Sequence, residues 1–227
     1  MKYKFIALLP MKGHSERIKN KNIKNLCGRP LFFYISDTLR SIKLIKKLII
    51  NTDSQKIAML AKKRYGDWVE IHERPKYLMG DNVSMNKIIN YDVKLCGENN
   101  FYIQTHSTNP LLKSNTLRKA ISNFENLYTN DSDVSIFSVN KIRSRLYDKN
   151  LLPINHDPNI LERTQDLDEI YEENSCFYIF NGNTFIKYKH RISKKANVFS
   201  LASNNKEYLD IDDLFDWKLA ESIIKSQ

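Results

Sequence analysis

Short apolar runs alternate with stretches of helical period along the first 140 residues. Phe5–Leu9 is continuously apolar, the pattern of a strand covered on both faces. Leu31, Tyr34, Ile35, Leu39 and Ile42 follow at helical spacing, then Leu48–Asn51 as a second run and Ile57, Leu60 and Ala61 as a second helical stripe. Trp68–His72 reads as a third strand. Met85, Ile88, Ile89 and Cys96 mark a helix with Ser84 as its N-cap. Phe101–Gln104 is a fourth strand. Leu117, Ala120, Ile121, Phe124 and Leu127 form an amphipathic helix opened by Ser114, and Val134–Val139 is a fifth strand. This alternation predicts βαβ units: an α/β fold with a mostly parallel, Rossmann-like sheet and helices on both faces. Such sheets bind ligands beyond the carboxyl ends of their strands, which points to the loops after Leu9, Asn51 and Gln104.

The pattern breaks after Val139. Residues 141–174 are polar, charged and irregular, with Pro153 and Pro158, and read as an insertion: either a lid or an arm that reaches a second subunit. A strand returns at Cys176–Phe180. Two short runs follow, Val198–Leu201 and Tyr208–Ile211, and a helix starts near Asp213 with Leu214, Trp217, Leu219, Ala220 and Ile223 apolar. A single domain over 1–227 carrying the 141–174 insertion is expected, since 227 residues can bury a sizeable core without staples.

Composition narrows the setting. No stretch of about 20 apolar residues is present, so no spanning helix is expected. The N-terminal MKYKFIALLP has a basic start and an apolar run, but the run is short and charge resumes at Lys12, so a first strand is expected rather than a signal peptide. Cys27, Cys96 and Cys176 are odd in number and widely spaced, which argues against a disulfide framework or a zinc site and suits a cytoplasmic protein. The net charge of +10 raises nucleic acid as a partner. However, the lysines are scattered, and no aromatic-interleaved basic motif accompanies them, so neither nucleic acid nor membrane is expected.

The densest chemistry lies in the loop after the first strand, Pro10-Met11-Lys12-Gly13-His14-Ser15-Glu16-Arg17-Ile18-Lys19-Asn20-Lys21-Asn22. Gly13 lets the backbone turn closely round a ligand. Backbone N–H groups in such a loop can face phosphate oxygens, with Arg supplying forked donors and Lys point charges. A triphosphate concentrates negative charge and calls for this density of cations. A solvated basic loop is the competing reading, and the position after the first strand of a βαβ sheet weighs against it. The loop is neither a GxxxxGK[ST] phosphate loop nor a GxGxxG dinucleotide fingerprint. Near the other end, Asp210 and Asp212 flank Ile211 on a short predicted strand, where period two puts both carboxylates on one side. Paired carboxylates suit Mg²⁺, which takes one or two of them with phosphate oxygens and water. An Asp-rich helix N-terminus is the alternative.

The run LLPMKGHSERIKNKNIKNLCGRPLFFYI resembles the opening of the acylneuraminate cytidylyltransferase family, which includes the CMP-sialic acid and CMP-Kdo synthetases. Lys12, Gly13, Ser15, Arg17, Lys21, Asn22, Gly28, Pro30 and Leu31 match its pattern. Asn51-Thr-Asp53, then Glu73-Arg74-Pro75 with Gly80-Asp-Asn-Val-Ser84, and finally Leu209-Asp-Ile-Asp212 with Asp216 and Ala220-Glu221 follow in the family's order. The resemblance covers almost the whole chain. It implies a nucleotidyltransferase sheet and transfer of CMP from CTP to an acidic, sialate- or Kdo-like sugar with release of pyrophosphate, feeding surface glycans such as lipopolysaccharide or capsule. Pro10, Met11, Lys12, Gly13, Ser15, Arg17, Lys21, Asn22, Arg74 and Ser84 would bind the nucleotide. Lys12, Arg17 and Lys21 would stabilise the triphosphate and the leaving pyrophosphate, and Asp210 and Asp212 would hold Mg²⁺. Family members are usually dimers that exchange the arm, so the insertion would be a dimerisation arm.

Two departures concern the acceptor. The family's Gln-Pro-Thr-Ser-Pro-Leu stands here as Gln104-Thr-His-Ser-Thr-Asn-Pro-Leu111, which puts His106 in the place of a glutamine near the sugar. His106 would then donate to an acceptor phosphate or carboxylate, act as a base, or simply bond the backbone. The segment from Arg163 through Gln165 and Glu172 to Asn174 resembles the sialate enzymes, except that they carry an Arg about where Glu172 stands. Gln104, His106, Arg163, Gln165 and Asn174 are the expected acceptor residues, and Arg143 and Arg145 would add anion contacts from a partner subunit. A phosphorylated or other non-sialate acceptor stays open, as do a basic RNA-binding protein and a non-catalytic nucleotide-binding protein.

Overall fold

The computed structural model describes residues 3–201 and 206–226. Its elements run β1 (Phe5–Leu8), β2 (Asn25–Leu26), β3 (Arg29–Pro30), α1 (Leu31–Arg40), β4 (Ile45–Thr52), α2 (Gln55–Tyr65), β5 (Val69–Glu73), α3 (Met85–Cys96), β6 (Phe101–Thr105), α4 (Ser114–Asn130), β7 (Val134–Ile142), β8 (Ile170–Asn181), α5 (Gly182–Tyr188), β9 (Lys195–Ser200) and α6 (Leu214–Lys225). Seven strands form one sheet in the order β5-β4-β1-β6-β8-β7-β9, and β2 and β3 form a separate hairpin. β1 pairs in parallel with β4 and β6, and β4 with β5, while β8 is antiparallel to both of its neighbours. The chain leaves β1 toward β4 and β5, then returns to β6 on the other side. The switch point therefore lies where the carboxyl ends of β1 and β6 meet, and it opens a crevice there.

The central strands are apolar on both faces because helices cover both. On one face Phe5, Ala7, Leu48, Ile50 and Ile103 pack against α1, α2 and α4. On the other, Ile6, Leu8, Ile49, Tyr102 and Tyr178 meet α3 and α5. A third cluster joins the two ends of the chain: Ile18, Leu26, Leu31 and Tyr34 enclose Ile211, Trp217 and Ala220. α6 starts on a capping box in which the Asp213 carboxylate accepts from Phe215 and Asp216 N–H, while the Asp216 carboxylate accepts from Asp213 N–H.

Several expectations change. Tyr208–Ile211 is not a strand. It crosses the ends of β1 and β6 as an irregular segment, with Ile211 N–H donating to the Thr108 carbonyl at 2.8 Å. β8 begins at Ile170, inside the stretch expected to be irregular, and Ile170–Glu173 pair with Val139–Ile142 as a two-stranded ribbon that carries the 143–169 arm. Ser84 sits at the N-cap of α3, but its side chain makes no capping bond. Ser114 is the first residue of α4, and the Glu207 carboxylate caps that end by accepting from Lys113 N–H at 3.0 Å and the Thr116 hydroxyl. Among the described residues, no helix is long and apolar enough to cross a membrane.

Candidate active site

The loop after β1 is built by backbone contacts before its cations come into play. Pro10 and Met11 are buried, and Met11 extends β1 by one bridge to Thr52, with its N–H donating to the Asn51 carbonyl at 2.9 Å. Gly13 turns the chain against the next loop. Its N–H donates to Asp53 at 2.6 Å, and a Cβ there would lie 2.8 Å from Ser54 Cβ, so only glycine fits. The Gly13 N–H is thus taken up by Asp53 rather than left open to a ligand. Asn22 latches the far end. Its amide donates to the Lys12 carbonyl at 2.9 Å, and its carbonyl oxygen accepts from the Ser107 hydroxyl at 2.6 Å. Buried at the crevice floor, Asn22 shapes the loop and ties it to the segment after β6.

The side chains that remain form a cationic recess. Lys12, Ser15, Arg17, Lys21 and Asp212 line a cavity of about 110 Å³.

 Lys12 Nζ pairs with Asp81 at 2.5 Å and Arg17 with Asp212 at 3.2 Å, while Lys21 donates to the Ile211 carbonyl at 2.8 Å and lies 3.6 Å from Asp212. The Lys12 and Arg17 pairs are open to water, where such contacts are weak. An anion with several charges can therefore exchange with Asp81 and Asp212 at little cost. Residues from 12 to 21 and from 210 to 212 are thus neighbours, as their chemistry requires.

Asp210 stands beside Asp212. The protein packed round its carboxylate raises its pKa, the Thr108 hydroxyl lowers it, and the charges of Asp212 and Asp216 push it up further. Crowded carboxylates next to a cationic recess suit a divalent cation that also takes phosphate oxygens. The donor set therefore fits the Mg²⁺ expected from the sequence, although the two residues lie on an irregular segment rather than a strand.

Arg74 and Ser84 are placed differently from each other. Arg74 is buried, and its guanidinium donates to the Asn51 side chain at 2.8 Å, the Asn51 carbonyl at 2.9 Å and the Met11 carbonyl at 3.3 Å. It fixes the floor under the loop and also lines a recess with Thr52, Asp53 and Met79. Ser84 is exposed and keeps its hydroxyl free of any capping bond.

On the acceptor side, Gln104 and His106 come together at the carboxyl end of β6. The Gln104 amide donates to His106 Nε2 at 3.0 Å and to the Thr105 carbonyl at 2.9 Å. Burial and the Arg191 charge push the His106 pKa down to about 4, so the ring is neutral at ordinary pH. With Nε2 accepting from Gln104, the proton sits on Nδ1. His106 is then a neutral ring that can donate through Nδ1.

Arg163, Gln165 and Asn174 do not join this pair within one protomer. Arg163 pairs with Asp166 at 2.7 Å, Gln165 is exposed, and Asn174 donates to Asn140 at 2.8 Å. Arg143 pairs with Glu169 at 3.0 Å, and Arg145 donates to the Glu162 carbonyl. All of these contacts lie within the arm or its ribbon. Sequence reasoning missed Arg191, which reaches Gln104 from the turn after α5. No motif or periodicity marks it, because its role depends on a contact with a residue 87 positions away.

A model of the cytidylyltransferase family matches residues 6–221. An N-acylneuraminate cytidylyltransferase of Escherichia coli is 24% identical over 226 residues, which cover 98% of this chain and 52% of that protein. The chain thus spans about half the length of that relative. A pseudaminic acid cytidylyltransferase of Campylobacter jejuni is 25% identical over 232 residues, covering 98% of this chain and 97% of that one. The solved structure of CMP:2-keto-3-deoxy-manno-octonic acid synthetase complexed with CTP has the same fold, with a TM-score of 0.68 at 10% identity over 98% of this chain and 99% of that one. With the family model matched across nearly its full length, the chain belongs to the cytidylyltransferase family.

Proposed function

We propose that the chain transfers CMP from CTP to a hydroxyl of a carboxylated sugar and releases pyrophosphate, with Mg²⁺ as its ion and a cytoplasmic homodimer as its working form. The observation that carries this reading is the cavity where Lys12, Ser15, Arg17 and Lys21 meet Asp212. Lys12, Arg17 and Lys21 would bind the triphosphate and stabilise the charge that grows on the leaving pyrophosphate. Asn22 and Gly13 hold the loop that carries them. Asp210 and Asp212 would hold Mg²⁺, which when bound neutralises phosphate charge. Gln104 and the Nδ1–H of His106 would orient the acceptor beside the nucleotide, since Ser107 ties this segment to Asn22. The dimer rests on the apolar side chains that the otherwise polar 143–169 arm exposes, Leu151, Leu152, Ile154, Ile160 and Leu161, and the acidic acceptor on the names of the relatives.

Pyrophosphate release tests the reading, with each of the four nucleoside triphosphates offered against N-acetylneuraminate, pseudaminate, 2-keto-3-deoxy-manno-octonate and phosphorylated sugars. Release with CTP and a sugar acid, lost in Asp210→Asn and Asp212→Asn, is expected. Turnover with UTP or GTP but not CTP sinks it. Release only with phosphorylated sugars moves the acceptor to another class. Salt-sensitive RNA binding that survives Lys12→Ala and Lys21→Ala, without CTP binding, favours the nucleic-acid alternative.

A further inference from the structure

Arg191 is a half-buried guanidinium with no carboxylate within ion-pair distance among the described residues. Its Nε donates to Asn86 Oδ1 at 3.2 Å and its Nη1 to Gln104 Oε1 at 2.5 Å, both neutral groups. The guanidinium carbon lies 3.9 Å from the centre of the Tyr178 ring. Burial lowers its pKa, and Tyr178 and Glu173 act the other way. Glu173, the acid that bears on it, is taken up by the Tyr178 hydroxyl. A charge withdrawn from water without an anionic partner is costly, and an anionic ligand would compensate it.

The place is built rather than incidental. Gln104 and Tyr178 are directly opposed in the β6–β8 register at the carboxyl end of β6. The turn that carries Arg191 is anchored on both sides: Ile192 N–H donates to His190 Nδ1 at 3.0 Å, and Ser193 N–H to the Ser135 hydroxyl at 2.9 Å. Arg191 orients Gln104, and Gln104 in turn fixes the tautomer of His106. The arginines expected for an acceptor carboxylate are by contrast engaged in the arm, Arg163 with Asp166 and Arg143 with Glu169.

We infer that Arg191 holds the carboxylate of the acidic acceptor and makes the site selective for an acid over its neutral analogue. This rests on the proposed function. A planar fork matches a carboxylate, and His106 beside it is a neutral donor rather than a second cation. Arg191 and His106 together therefore suit a monoanion better than a phosphate dianion.

The test uses the full chain without Mg²⁺, so that binding is read without turnover. The probes are N-acetylneuraminate, pseudaminate and 2-keto-3-deoxy-manno-octonate, each with its carboxamide, and affinities are measured by ligand-observed nuclear magnetic resonance. The wild type is expected to prefer at least one acid over its amide by about tenfold or more. Arg191→Gln is expected to bind acid and amide alike while its CTP affinity stays within about twofold. Arg191→Lys keeps the charge but loses the fork, so its preference falls by about threefold or more; this variant decides if Arg191→Gln does not fold. An unchanged preference in the folded variants, or a wild type that binds none of the acids or does not discriminate, overturns the assignment. CTP binding by the wild type is read separately, and its absence sinks the proposed function whatever the acids do.

Discussion

His72 is a buried imidazole placed between two carboxylates, 2.7 Å from Asp92 and 3.2 Å from Glu70. Burial opposes its charge, but hydrogen bonds to Asp92 and Cys96 outweigh this and push its pKa up to about 10. Asp92 also accepts from the Asn51 amide at 2.8 Å, and Asn51 accepts from Arg74. This chain of contacts supports Met11 and thus the start of the cationic loop. The sign of its pH dependence follows from the raised pKa, which lies above the ordinary value of 6.5. The stabilisation is complete below about 6.5, declines as pH rises, and is exhausted above about 10. Urea unfolding of the wild type and His72→Gln from pH 6 to 10 should show the variant less stable by about 3 kcal/mol at the acid end, with the difference closing as pH rises. A constant difference would mean that His72 is neutral in the fold. This network was not legible in the sequence: Asp92 lies unmarked in the helix that Ile88, Ile89 and Cys96 indicate, and His72 looks like any residue of a strand until β5 and α3 are packed together.

At the scale of elements, the strands with apolar runs were legible and the polar ones were not. Phe5–Leu9, Leu48–Asn51 and Phe101–Gln104 became β1, β4 and β6, because burial on both faces demands continuous apolar sequence. Ile170–Asn174 escaped notice because that end of β8 is largely exposed and carries Tyr171, Glu172 and Glu173, which leave no alternation to read. Tyr208–Ile211 was misread as a strand, since Leu209 and Ile211 are apolar for the sake of the cluster around Trp217 rather than for a sheet. The short α5 and the β2–β3 hairpin offered too few residues for a period. The arm between β7 and β8 exposes Leu151 at 79%, Leu161 at 91% and, to a lesser degree, Leu152, Ile154 and Ile160. Such a concentration of apolar surface on one extended element calls for a covering partner. If that partner is a second copy, size-exclusion chromatography with light scattering should find the wild type dimeric, and Leu151→Ser with Leu161→Ser should shift it toward monomer while the fold of the sheet is retained. A wild type that is monomeric at micromolar concentration would remove the arm from the dimer reading.

At the scale of the whole molecule, the site depends on bringing together segments some 190 residues apart, as the Lys21–Ile211 contact shows. The cations come from the loop after β1 and the carboxylates from the segment before α6. Ile211 joins them: it is fully buried among Ile18, Leu26, Leu31, Tyr34 and Trp217, and Asp210 and Asp212 flank it. Its N–H is held by Thr108 and its carbonyl by Lys21, so backbone and side chain together set where both carboxylates stand. Ile211→Ala should cost about 2–4 kcal/mol through the cavity it leaves. It should also loosen the carboxylates relative to Lys21 and Arg17, although it touches no phosphate itself. Ligand linkage separates these two effects. CTP with Mg²⁺ at about 100 times its dissociation constant would stabilise the wild type by about 2.7 kcal/mol, visible as a rise in the thermal midpoint. At the same concentrations Ile211→Ala should start from a lower midpoint and gain less from the ligand, because its affinity has fallen as well. A midpoint that drops but gains as much as the wild type would show that Ile211 only fills space, and that Asp210 and Asp212 are placed by the Thr108 contact and the α6 capping box alone.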